Sequence, residues 1–257
     1  MIAITRDVSA SLADCQLSFV DRDTIDVARA NAQHHAYRRA LESLGCRVLD
    51  LPARDAMPDA VFVEDVAIVL DEVAIMTRPG AESRRAEGAS VSEALARHRS
   101  LRAIEGPGTL DGGDVLRVGR KIYVGQAARS NVDGIEQLRA LVAEFGYTVQ
   151  GVPTHDCLHL KSAVTQVAKN TLLIQREWVD RAVFAGYRLI DIDPDEPHAA
   201  NALRIGTGVV YPASFPRTQQ RMADAGIDVT AVDLSELQKA EGATTCCSLV
   251  FRDLSTE

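Results

Sequence analysis

The sequence predicts a five-bladed α/β ring, and three observations predict it. A strand, strand, helix, strand phrase recurs along the chain; glycines that end its helices recur with it; and the two termini carry the pieces of one further phrase. Helical stretches run into a glycine and then an alternating strand at Gly45, Gly146, Gly186 and Gly226. Glycine accepts the left-handed conformation that closes a helix, and the last three sit at intervals of 40 residues, a period that signals a repeat architecture.

Taken in order, residues 2–6 read as a strand. Asp23 to Asp26 can cap a helix running to Leu44, whose apolar positions Val27, Ala30, Tyr37, Ala40, Leu41 and Leu44 share one face. A strand over residues 46–51 follows. Four hairpins come next, over 61–78 turning near Asp71-Glu72, 115–125 turning at Gly119-Arg120, 163–175 turning near Asn170, and 203–212 turning at Gly206 to Gly208. Each precedes a helical stretch and a strand; the helix starting near Ser83 ends without a glycine. Four complete units therefore span residues 61–232, and the fifth is split between residues 2–51 and a terminal strand around 246–251. Pairing the terminal segments closes the ring and protects the sheet edges. An open α/β sheet with βαβ crossovers is the competing architecture, and hairpins before each helix fit it poorly.

With 257 residues, 46% of them apolar and 25% charged, the composition is that of one globular domain spanning residues 1–257, without a linker rich in Pro, Gly or Ser. No apolar run reaches the roughly 20 residues that cross a membrane, and the start carries no signal-peptide core. Five cysteines without CxxC or zinc-finger spacing point to free thiols in the reducing cytosol. A formal charge of -8 argues against nucleic acid as a partner and suits a cationic small molecule.

Polar residues gather at corresponding places in the units. Glu64 and Asp65 interrupt an apolar strand, Asp111-Gly112-Gly113-Asp114 opens the second unit, and His159 lies between Leu158 and Leu160 at the start of the third. In the terminal strand, alternation places Thr244, Cys246 and Ser248 on one face and Thr245, Cys247, Leu249 and Phe251 on the other. Cys247 then packs with Leu249 and Phe251 as a small buried hydrophobe, and Cys246 faces polar company. Each feature alone has a structural reading: a solvent-facing carboxylate, a turn, a hydrogen-bonding histidine, two inert thiols. Together they suggest a Cys/His pair with carboxylates, in which a thiolate attacks and an imidazole moves protons. Zinc is the competing reading of the same residues, but Cys246 and His159 are the only obvious ligands of a site that normally takes four.

Phe62-Val63-Glu64-Asp65, the stretch from Thr77 to Arg85, Gly108 to Asp114, Leu158-His159-Leu160-Lys161 and Thr245-Cys246-Cys247-Ser248 closely resemble motifs of the dimethylarginine dimethylaminohydrolases, members of the guanidino-group modifying (pentein) superfamily. Asp26 to Ala30 and Leu51-Pro52-Ala53 are also similar, so the resemblance runs in order over nearly the whole chain. It implies a five-bladed α/β propeller and the hydrolysis of N-omega-methylated arginines to citrulline and a methylamine. Cys246 would be the nucleophile, His159 the general acid and base, and Asp111 the acid that orients His159. Asp65 would hold the guanidinium with Glu64 in support, Arg84 and Arg129 would bind the α-carboxylate, and Asp59 the α-amine. Ala240 and Leu17 would complete the substrate contacts, Leu17 at the tip of a lid over residues 8–21.

The resemblance implies no metal or organic cofactor, although zinc at Cys246 and His159 would inhibit, and it suits a cytoplasmic monomer or homodimer. Two alternatives stand beside it. One is a hydrolase or deiminase of free arginine or another guanidine, disfavoured because arginine deiminases usually carry an added helical domain. The other is a non-catalytic propeller that binds ligands, disfavoured by the joint retention of Cys246, His159, Asp111 and Asp65.

Overall fold

In a computed structural model, which describes residues 1–254, fifteen strands form five three-stranded sheets. Strands β1 (Ile2–Arg6) and β2 (Arg47–Leu51) are joined by helix α1 (Val27–Ser43). The second sheet holds β3 (Ala67–Val69), β4 (Val73–Met76) and β5 (Ser100–Ala103), with α2 (Gly88–Leu95) before β5. The third holds β6 (Val115–Val118), β7 (Lys121–Gln126) and β8 (Thr148–Pro153), with α3 (Val132–Val142) before β8. After the short α4 (Leu160–Ala163) come β9 (Val164–Ala168), β10 (Thr171–Ile174) and β11 (Arg188–Asp191). The last complete unit is β12 (Leu203–Ile205), β13 (Gly208–Pro212), α5 (Pro216–Asp224) and β14 (Asp228–Val232), followed by α6 (Ser235–Gln238) and β15 (Leu249–Phe251).

Every sheet repeats one pattern, an antiparallel pair followed by a parallel one. The split sheet obeys it too: β15 runs antiparallel to β1, with Ile2 opposite Phe251 and Ile4 opposite Leu249, and β1 runs parallel to β2. The termini therefore close the propeller, as the repeat predicts. First strands of neighbouring sheets touch, β15 to β3, β6 to β9 and β9 to β12, which puts the start of each unit at the centre.

Local chemistry accounts for the boundaries. Asp26 caps α1 by accepting from the Arg29 amide at 2.9 Å, and Asn131 caps α3 by accepting from Gly134 at 2.9 Å; such caps contribute about 1 kcal/mol each. Gly45, Gly146 and Gly226 end their elements with positive φ. The unit of β9 to β11 departs from expectation: its helical stretch is only the single 3-10 turn Arg181–Phe184, and Gly186 is not left-handed. With so short a connector there is no full helix for a C-terminal glycine to close.

Two further expectations are corrected. Glu64 and Asp65 lie on the 3-10 turn Val63–Val66 rather than in a strand. The terminal strand is only Leu249–Phe251, and Cys246 and Cys247 belong to the turn before it. Among the described residues no helix is long and apolar enough to cross a membrane.

Candidate active site

At the inner end of each sheet, just before its first strand, the chain makes a short turn, and the polar residues sit on these turns. Glu64 and Asp65 precede β3, Asp111 to Asp114 precede β6, His159 begins α4 before β9, Asn201 precedes β12, and Cys246 precedes β15. Five turns from five sheets thus supply one constellation.

His159 is buried, with Nε2 3.0 Å from Asp111 Oδ2 and Nδ1 3.9 Å from Asp65 Oδ1. Burial alone would lower its pKa. The charge of Asp65, the hydrogen bond to Asp111 and the charge of Asp114 override this and hold it up at about 9, so the imidazole carries its proton at neutral pH. Asp65 answers in kind. Burial works against its charge, but His159, Arg84 and the Gly113 amide, which donates at 2.9 Å, bring it down to about 2.

Asp111 Oδ1 accepts from the Gly80 amide at 2.8 Å, which leaves Oδ2 aimed at the histidine. Asp114, fully buried, is pushed up to about 6 by its burial, against the pull of His159 and its hydrogen bond from Ser130. It also accepts from the Leu160 amide at 3.0 Å and so fixes the backbone next to His159. The two glycines between these acids permit the approach: a Cβ on Gly112 would lie 1.9 Å from the Glu64 carbonyl oxygen, and one on Gly113 would lie 2.4 Å from His159 Nδ1.

The cysteine turn is fixed by Asn201. Its Oδ1 accepts from Thr244 Oγ1 and from the Thr245 amide, each at 3.0 Å, and its Nδ2 donates to Thr245 Oγ1 at 3.0 Å and to the Lys161 carbonyl at 3.1 Å. Adjacent threonines that converge on one asparagine are incompatible with strand alternation. Thr245 Oγ1 donates to Glu64 Oε2 at 2.7 Å, Glu64 is paired with Lys161, and the Glu64 amide donates to the Cys246 carbonyl at 3.2 Å. Cys246 lines the cavity; burial, then the charges of Glu64 and Asp65, push its thiol up to about 12. Cys247 is fully buried, as expected, but it packs with Ala3, Leu12, Tyr37 and Leu41, while Leu249 and Phe251 pack with Ile2 and Ile4. The turn rotates it away from the strand's own face.

One small cavity, about 30 Å³, is lined by Asp59, Asp65, Arg84, Asp111, Arg129, His159, Ala240 and Cys246, together with Gln16, Phe62, Leu158 and Glu241. Two expected substrate residues lie outside its lining: Glu64 stands behind the cysteine turn, and Leu17 packs on the core beside α1. Arg84, expected at the α-carboxylate, lies in the cavity wall. Its buried guanidinium is engaged by Asp65 at 2.5 Å, by both oxygens of Glu87 and by the carbonyls of Asp59 and Phe62. It is turned to fix Asp65 rather than to offer a free fork to a carboxylate. Among the described residues the Arg129 side chain makes one hydrogen bond, to Ser18 Oγ at 3.2 Å.

As for metal ligation, the donor atoms that lie within 4.8 Å of one another belong to Asp65, Asp111 and His159. Cys246 is not part of that group. Asn201, Glu87, Ser130 and Glu241 escaped the sequence reading. The signal for Asn201 was its position two residues before the first strand of its unit, where the units of β3 and β15 carry Asp65 and Cys247.

A family model described as "N,N dimethylarginine dimethylhydrolase, eukaryotic" matches residues 6–251. A dimethylarginine dimethylaminohydrolase of Streptomyces coelicolor is 41% identical over 254 residues, 98% of this chain and 97% of its own. A cysteine-to-serine mutant of the Pseudomonas aeruginosa enzyme, solved with citrulline, superposes with a TM-score of 0.93 at 37% identity, covering 97% of this chain and 98% of that one. The N-terminal domain of a cyanobacterial arginine dihydrolase, 18% identical with a TM-score of 0.85, shares the fold. The chain belongs to the dimethylarginine dimethylaminohydrolase family.

Proposed function

We propose that this chain hydrolyses N-omega-methylated L-arginines to L-citrulline and a methylamine through a covalent intermediate on Cys246. The observation that carries the reading is the cavity in which Cys246, His159 and the Asp65 carboxylate meet, with Asp59 and Arg129 also in its wall. Asp65 receives the guanidinium, and Arg84 and the Gly113 amide hold it in place. Arg129 receives the α-carboxylate and Asp59 the α-amine, and Ala240 completes the wall.

At rest Cys246 is a neutral thiol, and the cationic substrate supplies what it lacks. A guanidinium against Cys246 offsets Glu64 and Asp65, so the thiol gives its proton to solvent water, from which the freed amine later takes one, and the thiolate adds to the guanidinium carbon. His159 gives its proton to the leaving amine nitrogen, the C–N bond breaks, and a thiouronium remains. The neutral imidazole then takes a proton from water and the hydroxide adds to the same carbon; as that oxygen becomes the citrulline carbonyl the C–S bond breaks, and the carbinol proton passes to the sulfur and restores the neutral thiol. Asp111 holds the ring in orientation throughout.

Five free thiols suit a reducing, cytosolic setting. Zinc bridging Cys246 and His159 would inhibit by displacing protons from both; a zinc titration that leaves the rate untouched contradicts that clause. The substrate assignment is tested by citrulline release from dimethylarginine, monomethylarginine, arginine and agmatine. Methylated arginines should turn over at least about tenfold faster by kcat/KM, and equal or better use of arginine would move the chain to the general guanidine hydrolases.

Gly113→Ala should lower kcat/KM about 10²-fold, because the new methyl group displaces His159 from Asp65 by the order of an ångström. Citrulline assays on the folded variant check this, and wild-type rates would show that the glycine merely makes a turn.

A further inference from the structure

We infer that Glu241 is the latch of the lid, and through it a positioning residue for the amino-acid end of the substrate. Three cavity side chains hold the loop over residues 8–21. Asp59 accepts from the Gln16 amide at 3.2 and 3.3 Å, Arg129 donates to Ser18 Oγ at 3.2 Å, and Glu241 Oε1 accepts from the amides of Ser18 at 2.8 Å, Val20 at 3.0 Å and Phe19. The cavity beneath, about 30 Å³, has room for a water molecule or two. An amino acid the size of methylarginine enters only when residues 16–20 lift, since Val8, Leu12 and Cys15 of the same loop are anchored in the core.

The three holding groups then behave differently. Asp59 and Arg129 are the groups assigned to the α-amine and α-carboxylate, so they exchange a loop contact for a ligand contact when substrate binds. Glu241 gives one oxygen to three successive loop amides, the arrangement of an anion nest with charge-assisted bonds. That grip needs no ligand, and it can close the loop again over bound substrate.

Backbone geometry aims this carboxylate. Glu241 is left-handed, with φ of 58°, a conformation that a non-glycine residue adopts only when its surroundings impose it. Behind it Gly242 lies against Phe62, where a Cβ would come within 2.2 Å of the ring. The latch is also incomplete: Glu241 Oε2 is buried without a hydrogen-bond partner, which favours release. A closed but releasable loop is what a gate requires.

The far side of the loop carries a reporter. Phe19 and Val20 line a second cavity of about 230 Å³ together with Trp178 and Glu241, and Trp178 is the only tryptophan in the chain. Opening the loop uncovers it.

The test compares wild type, Glu241→Gln and Glu241→Ala, each shown to be folded by circular dichroism. In ligand-free protein, acrylamide quenching of Trp178 should rise about twofold or more in Glu241→Ala, with Glu241→Gln between the two because its carbonyl still accepts without the charge. With dimethylarginine, KM should rise about tenfold while kcat changes less than about threefold, since lost closure weakens binding before it touches the chemistry. Unchanged quenching in folded Glu241→Ala overturns the latch, as does a fall in kcat at constant KM, which would place Glu241 in the chemistry. The kinetic arm rests on the methylarginine reading and the quenching arm does not, so failure of the substrate assignment leaves the quenching result standing.

Discussion

Cys246→Ser is expected to abolish citrulline formation, with a loss of more than about 10⁴-fold in kcat. A serine hydroxyl in that turn keeps the shape but cannot ionise as a thiol can, and the fold should be unaffected. Cys247→Ser, by contrast, should keep the catalytic constellation and lower stability by about 1 kcal/mol, because it puts a hydroxyl into a fully buried apolar cluster where the Ala243 carbonyl, which already accepts from the thiol at 3.4 Å, offsets part of the cost. The raised Cys246 pKa adds a second signature: a cationic haloacetamidine should modify the free enzyme at neutral pH far faster than neutral iodoacetamide does. Equal rates would mean that the thiol rests as a thiolate and that substrate charge has no part in activating it.

Removing the imidazole should cost about 10³-fold in kcat. In His159→Ala the leaving amine has no proton donor, Asp111 loses its only cationic partner in the cavity and Asp65 keeps Arg84 alone. The loss of charge has a pH signature of known sign. A histidine raised from 6.5 to about 9 contributes stability that is fully present below pH 6.5 and is lost as pH rises through about 9. The melting-temperature gap between wild type and His159→Ala should therefore be widest at pH 6 and shrink toward pH 9.5. A gap that stays constant over this range would show that His159 is neutral at rest.

The ring was legible in the sequence because hairpins and left-handed glycines are local signals: hairpins open four units, and left-handed glycines end the helical stretches of three. Closure could be read for the same reason: four complete units left two fragments that only pairing could use. The turns at the inner ends of the sheets were harder to read. Glu64-Asp65 and Cys246-Cys247 border apolar strands, so a period of two was carried past the true strand ends into turns that side-chain hydrogen bonds define. The polar setting of Cys246 and the burial of Cys247 were still found, but the partners of Cys247 were not, since a turn sends it to the α1 side of the core.

Asp111-Gly112-Gly113-Asp114 has the composition of an ordinary turn, and only the distances from Gly112 and Gly113 to Glu64 and His159 show why neither position tolerates a side chain. Asn201 and Glu241 act through backbone amides far away in sequence, and no local pattern announces such a contact. The same limit explains Arg84: a motif can give the residue, but only the structure shows its guanidinium spent on Asp65 and Glu87.

Acid-quenched turnover followed by peptide mass spectrometry tests the central claim most directly. With dimethylarginine in the steady state, a mass increase matching the thiouronium should appear on the peptide carrying Cys246 and Cys247, fragmentation should place it on Cys246, and it should vanish in Cys246→Ser. An adduct on Cys247, or full turnover in Cys246→Ser, would contradict the account.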